Sequence, residues 1–309
     1  MTSPTSFDPP GHLPDRPELP AGIERIPVPT HGHTPTGSPE RRDLPEWPPW
    51  APFAAMLLTL VIAIAGATVI SVGAQLAGVD VTASNPPPGV AIGGTVIQDI
   101  GLIVAALVFA RLTDGRASAW QFGLRRVSFG SAAGWLILVW LIFIVLSAVY
   151  AQAVNAPETS NQADELGAGD STLNLVAVTV LVTVVAPLAE EFFFRGFVFT
   201  TLWRWLGWVP GAVFAGAIFA FIHIGSVAAV FLPPLVLLGF LLCVLYKQTG
   251  SLLPCFALHA LNNGLAMGES QDFSALGTVA VMIGASTVVV SIGLLAARSR
   301  RMNAQPATA

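Results

Sequence analysis

Charge is what this sequence has least of. Lys, Arg, Asp and Glu together make up 10% of its 309 residues, where an ordinary soluble domain carries roughly a quarter. A conventional soluble globule is therefore excluded. Basic side chains are too few and too scattered for a nucleic-acid partner to be expected. Cysteine is nearly absent as well. Cys243 and Cys255 both fall inside apolar runs, so they read as small buried hydrophobes and not as a disulfide framework or a metal cluster. Large apolar residues are scarce in residues 1–48, which are dense in Pro, Gly, Thr and His. That composition buries too little surface to offset the entropy of ordering, and a disordered tail is expected there.

What the remainder has is apolar length. Hydrophobic residues are 54% of the chain and the mean hydropathy is +0.70. Apolar runs fall at 51–77, 89–110, 131–153, 172–202, 211–224, 227–246, 252–268 and 274–297, most of them near the roughly 20 residues that cross a bilayer as a helix. The expected fold is all-α: a polytopic transmembrane helix bundle of eight spans behind a disordered N-terminal tail. The fifth and seventh runs are short, which in lipid suggests helices shielded by neighbours or ending at a cavity. The first run is too long for a signal-peptide core and is expected to stay as an uncleaved anchor.

The basic residues set an orientation. Arg16, Arg25, Arg41 and Arg42 precede the first run; Arg111, Arg116, Arg125 and Arg126 lie between the second and third. Arg204 follows the fourth, Lys247 the sixth, and Arg298, Arg300 and Arg301 the eighth. With eight spans all of these share one side, while the opposite loops hold only acids such as Asp80, Glu158, Asp164, Glu165, Asp170, Glu269 and Asp272. The positive-inside rule then puts both termini in the cytoplasm of a multi-pass cell-membrane protein.

Six ionisable groups remain inside apolar runs: Asp99, Glu190, Glu191, Arg195, His223 and His259. Each costs roughly 2.5–3.5 kcal/mol at the bilayer centre, so each is expected to be paired or functional. Glu191 and Arg195 stand four apart with the acid first, a spacing that lets them pair on one helical face. Glu190 points about 100 degrees away, so it needs another partner or a task. Phe219 and His223 are four apart, as are His259 and Asn263. An imidazole and a carboxamide side by side are fit to hold an oxyanion. One free carboxylate, two imidazoles and an amide are the parts of a water-activated acyl transfer. Glu190, helped by His223, takes a proton from water, and His259 with Asn263 stabilises the charge growing on the carbonyl oxygen. The plainer reading of the same residues is an interhelical hydrogen-bond network. Asp99, beside Gln98, is expected to be structural. Pro233 and Pro234 are expected to kink or break the sixth span.

These residues carry a resemblance. EEFFFR at Glu190–Arg195, FAFIH at Phe219–His223 and HALNN at His259–Asn263 are similar, in that order, to the EExxxR, FxxxH and HxxxN signatures of the CPBP family, the CAAX prenyl endopeptidases and bacteriocin-processing (Abi-type) intramembrane proteases. GSLLPCFALHALNN resembles the usual lead-in to the last motif, and FGLR at Phe122–Arg125 a phrase met before the third span. The resemblance covers residues 172 to 268. It implies an intramembrane glutamate endopeptidase in which Glu190 and His223 activate water, His259 and Asn263 form the oxyanion site, and Glu191 with Arg195 supports the architecture. It implies a membrane-associated peptide or protein as substrate partner, with the lipid bilayer around it. No cofactor is expected. Zinc on Glu190, His223 and His259 is the alternative, disfavoured because there is no HExxH and such a set leaves Asn263 without a task.

The organisation expected is a Pro-rich cytoplasmic tail at 1–48, N-terminal spans at 49–170, a protease core at 171–270, and a last span with a basic tail at 271–309. Rival readings are a non-catalytic membrane binding or immunity protein using the same polar pocket, and an ion-coupled transporter, against which the polar groups cluster in one half of the bundle and no inverted repeat is seen.

Overall fold

The computed structural model describes residues 39–82, 86–115, 117–156 and 162–298. The expected disorder of the tail falls, up to residue 38, outside the described residues. Every apolar run becomes a helix: α1 (Ala51–Leu76), α2 (Pro88–Asp114), α3 (Phe129–Val154), α4 (Thr172–Leu206), α5 (Trp208–Phe221), α6 (Leu232–Thr249), α7 (Leu252–Ser270) and α8 (Ala275–Arg298). The expectation of eight spans needs correction. Six helices among the described residues are long and apolar enough to cross a membrane, while α5, with 14 residues, is short and α7 carries its polar motif along 19 residues. The protein is an all-helical, multi-pass membrane protein in which these two helices stand among longer neighbours.

α1 packs along α2, α5 along α6 and α7 along α8, and α4 touches α2, α5 and α7 from the middle of the bundle. Its central place shows in burial: residues 193–203 are almost without exposure, whereas α1 and α3 show long apolar side chains to the outside, such as Leu57, Ile64, Leu141 and Val145. In a bilayer those faces meet lipid tails, and helix-to-helix contact depends on close packing. α5 and α6 cross at Gly216 and Gly239, where a Cβ on Gly239 would lie 2.7 Å from the Gly216 Cα. Only glycine on both helices allows that approach.

α4 is not a uniform helix. At 35 residues it is about 50 Å long, more than the roughly 30 Å hydrocarbon core, and two wide π-helical stretches interrupt it at Leu181–Val185 and Phe194–Phe199. Such stretches are rare and concentrate at functional sites. Past the membrane-crossing part, α4 meets the segment ahead of α1. Arg41 donates from Nε and Nη2 to the carbonyls of Arg204 and Trp205, both at 2.7 Å. Arg204 donates back to the Arg41 carbonyl at 3.0 Å and to Glu46, and Trp205 Nε1 donates to the Trp47 carbonyl at 2.7 Å. Trp47 is fully buried against Phe122 and Phe197. Residues 39–48 therefore form a hook on the end of α4.

Pro233 and Pro234 occupy the first turn of α6, where the missing N–H has no intrahelical partner to lose. They stand where the apolar run is interrupted and the helix begins, and not within it. The loop before α3 anchors α7. Gly123, at φ +79° and against the Tyr246 ring, accepts the Leu252 N–H through its carbonyl at 2.9 Å. Ser251 donates its hydroxyl to the Arg125 carbonyl at 2.6 Å and caps the Leu253 N–H at 3.2 Å. The FGLR phrase thus holds the start of the helix that bears His259.

Candidate active site

The Arg195 side chain lies in an interior that offers a guanidinium no water. Its Nη1 donates to Glu191 Oε1 at 2.7 Å and its Nη2 to the Gly239 carbonyl at 3.1 Å, while its Cζ sits 4.6 Å from the centre of the Phe219 ring. Glu191 is 0% exposed and Arg195 1%, so an acid, a carbonyl dipole and a ring face do the solvating between them. The carbonyl that accepts from Nη2 belongs to the same Gly239 at which α6 meets α5.

His259 reaches the same carboxylate from α7. Its Nδ1 lies 2.8 Å from Glu191 Oε1, which aims the other nitrogen, Nε2, at Glu190, 3.8 Å from Oε2. Glu190 is buried and its Oε2 meets no donor among the described residues. One carboxylate therefore orients the imidazole and the neighbouring one stays available, an acid–imidazole–acid order suited to proton transfer. The expected Glu191–Arg195 pair is present. Its bond to His259 could not be seen in spacing, because 68 residues separate the partners.

His223 stands just past the end of α5, in a turn that contains an isolated bridge between Ile224 and Val227. The ring keeps its expected packing on Phe219, at 5.0 Å between centres, and its Nδ1 lies 2.8 Å from the Phe219 carbonyl. It is half-buried. The structure brings His259, and not His223, within ion-pair distance of Glu190. Phe219 is the residue that sequence reasoning undervalued: Arg195, His223 and His259 all pack on its ring, the last edge-on at 5.8 Å. Asn263 donates from Nδ2 to the Val182 carbonyl at 2.8 Å, inside the first wide stretch of α4. One of its two amide hydrogens is thus committed to α4.

Asp99, expected to be structural, makes no hydrogen bond through its carboxylate among the described residues. It is 2% exposed. Beside it, a cavity of about 430 Å³ lies between α1, α2, α4 and the end of α5, lined by Met56, Thr59, Gln98, Leu102, Phe193 and Phe194 among others. Cys243 and Cys255 are free and buried, as expected. Among the described residues no three His, Cys, Asp or Glu side chains converge as ligands for a metal ion, and His259 has one nitrogen engaged by Glu191.

Residues 172–265 match a family model, that of the Type II CAAX prenyl endopeptidase Rce1-like proteins. Comparison with curated proteins and with solved structures gives no match. The matched segment runs from the start of α4 to beyond Asn263, so it holds all three motifs, and it is a CAAX protease family domain.

Proposed function

We propose that the CAAX protease family domain at residues 172–265 makes this membrane protein an intramembrane endopeptidase, hydrolysing a peptide bond of a membrane-associated peptide or protein without a metal. The observation that carries the reading is the His259 imidazole held between two buried carboxylates, 2.8 Å from Glu191 and 3.8 Å from Glu190. Glu190 takes a proton from water as the water oxygen bonds to the substrate carbonyl carbon. His259 and Asn263 receive the oxyanion, and the proton passes to the leaving nitrogen as the C–N bond breaks. His223, at the half-buried edge of the Phe219 ring, guides water to Glu190. Glu191 and Arg195 fix the imidazole and neutralise each other.

Incubating the purified protein with a library of membrane peptides, read by mass spectrometry, tests this directly. Cleavage that excess chelator leaves undiminished is expected. Loss of cleavage with chelator would establish a metal mechanism, and peptides bound but left whole would establish a binding protein.

We propose further that both termini lie in the cytoplasm. The contacts of Arg41 with Arg204, of Trp47 with Phe122 and of Ser251 with Arg125 bring together the segments that hold Arg41, Arg204, Arg125 and Lys247, in keeping with the positive-inside rule. A C-terminal fluorescent-protein fusion is expected to fluoresce and a C-terminal alkaline phosphatase fusion to stay inactive; the opposite pattern would reverse the orientation.

A further inference from the structure

The family match begins at residue 172 and so assigns nothing to the hook ahead of α1 or to the loop ahead of α3. Both reach toward the site. Trp47, near the end of the hook, is 0% exposed and packs on the ring of Phe122, 5.1 Å away, and on that of Phe197, 4.9 Å away. Phe122 in turn stacks on Phe192, with 4.3 Å between centres and 19° between planes, and Phe192 directly follows Glu191. The Phe122 carbonyl lies against Gly196, where a Cβ would stand 3.0 Å from it. The loop and the hook thus hold α4 just before its second wide stretch and inside it.

The same loop holds α7. The Gly123 carbonyl accepts the Leu252 N–H at 2.9 Å, and the Arg125 carbonyl accepts the Ser251 hydroxyl at 2.6 Å. His259 stands seven residues beyond Leu252 on an unbroken helix, about 10 Å along the axis, so a shift of the first turn carries the imidazole with it. α4 and α7 meet directly through His259 on Glu191 and Asn263 on the Val182 carbonyl, both at 2.8 Å. Lipid tails supply no hydrophobic force that presses two helices together, and such bonds are lost when the partners part by about 1 Å. A tie bound to both helices therefore matters to the site. The hook fastens that tie: Arg41 donates to the Arg204 and Trp205 carbonyls and Trp205 Nε1 donates to the Trp47 carbonyl, all at 2.7 Å. The two carbonyls that Arg41 meets belong to the last turn of α4, which offers them no intrahelical donor.

We infer that the hook is a clamp on the active site, in which Trp47 is a positioning residue that holds the Glu190–Glu191 turn at the spacing His259 requires, and Arg41 fastens it. Trp47 acts through Phe122, whose ring stacks on the turn that carries the two acids and whose neighbour Gly123 bonds the start of α7.

The kinetic part of this inference rests on the protease reading above; its structural part does not, and two measurements separate them. Amide hydrogen exchange of the full-length protein in nanodiscs, read by mass spectrometry, is expected to quicken at residues 118–128 and at Leu252 in Trp47→Ala, while α2 keeps its wild-type rates. Arg41→Gln alters an exposed residue without opening the core, and is expected to show the same pattern more weakly. Unchanged exchange at these places in both variants overturns the clamp whether or not any peptide is cut, and so does faster exchange throughout the chain in both. Where the wild type cleaves, Trp47→Ala is expected to lower kcat by about 10- to 100-fold with KM within about twofold, the scale of a misplacement of about 1 Å among reacting groups. Arg41→Gln is expected to lower kcat in the same sense, and Trp47→Phe, which keeps a ring against Phe122 and Phe197, to recover most of the loss. Phe143→Ala, which removes a buried ring from α3, is expected to keep the wild-type kcat. Wild-type kcat in Trp47→Ala, a change confined to KM, or an equal loss in Phe143→Ala overturns the positioning role.

Discussion

Glu190→Gln is expected to lower kcat by about 10²- to 10⁴-fold, the range a positioned general base supplies, while peptide binding and the melting temperature stay near those of the wild type. Glutamine keeps the length of the side chain and one carbonyl oxygen for His259 but accepts no proton. The expectation follows from the division of labour between adjacent acids. Glu191 is tied to Arg195 and to His259 Nδ1; among the described residues Glu190 has only the longer approach of His259 Nε2. Turnover by Glu190→Gln at the wild-type rate would exclude Glu190 as the base and return the site to the plainer reading of an interhelical network. Removing His259 is a less clean test, because His259 also satisfies Glu191 and its loss unsettles orientation and chemistry together.

The second large effect concerns stability. Arg195→Ala strands the Glu191 carboxylate, 0% exposed, with His259 as its remaining partner, and is expected to destabilise the fold by about 3–5 kcal/mol, as breaking a buried pair from one side does. Low yield and early thermal aggregation in detergent are the direct readouts. The double variant Glu191→Gln with Arg195→Met removes both charges and is expected to recover part of that loss, since the pair had to offset its own desolvation. Arg195→Lys keeps the charge, but a single ammonium does not span the Glu191 oxygen and the Gly239 carbonyl as a planar fork does, so it is expected to fall between. A double variant less stable than Arg195→Ala would mean that the pair contributes net stability beyond its mutual neutralisation.

The spans were legible because hydropathy acts over twenty residues at a time, and a run such as 131–153 announces a helix whatever it packs against. Even the two short runs were marked, by polar motif residues that an apolar surrounding makes conspicuous. The pairing of Glu191 with Arg195 was legible too, since it is local to one turn. What lay beyond reach was contact between helices: His259 on Glu191, Arg195 on the Gly239 carbonyl, Asn263 on the Val182 carbonyl. None is encoded in spacing. His223 reads as helical because Phe219 stands four residues before it, yet the helix ends at Phe221 and the ring returns to Phe219 from a turn. Pro233 and Pro234 read as a break because the apolar run begins before them; the helix does not. Residues 39–48 read as part of a tail because Pro and Gly dominate what precedes them, although Leu44 and Trp47 are as buried as any core residue.

The wide stretches of α4 have a consequence in phase. A regular helix advances 100 degrees per residue, so a residue's bearing at one end fixes every bearing at the other. Each π stretch takes in more residues for the same turn and resets that count. α4 therefore behaves as three short rods on one axis, each clocked separately. The first wide stretch itself turns the Val182 carbonyl to Asn263 of α7, the rod between the two stretches turns Glu191 to His259 with Glu190 beside it, and the last rod turns Arg204 and Trp205 to the hook ahead of α1. In a strictly periodic helix of the same sequence any one of these bearings would dictate the other two.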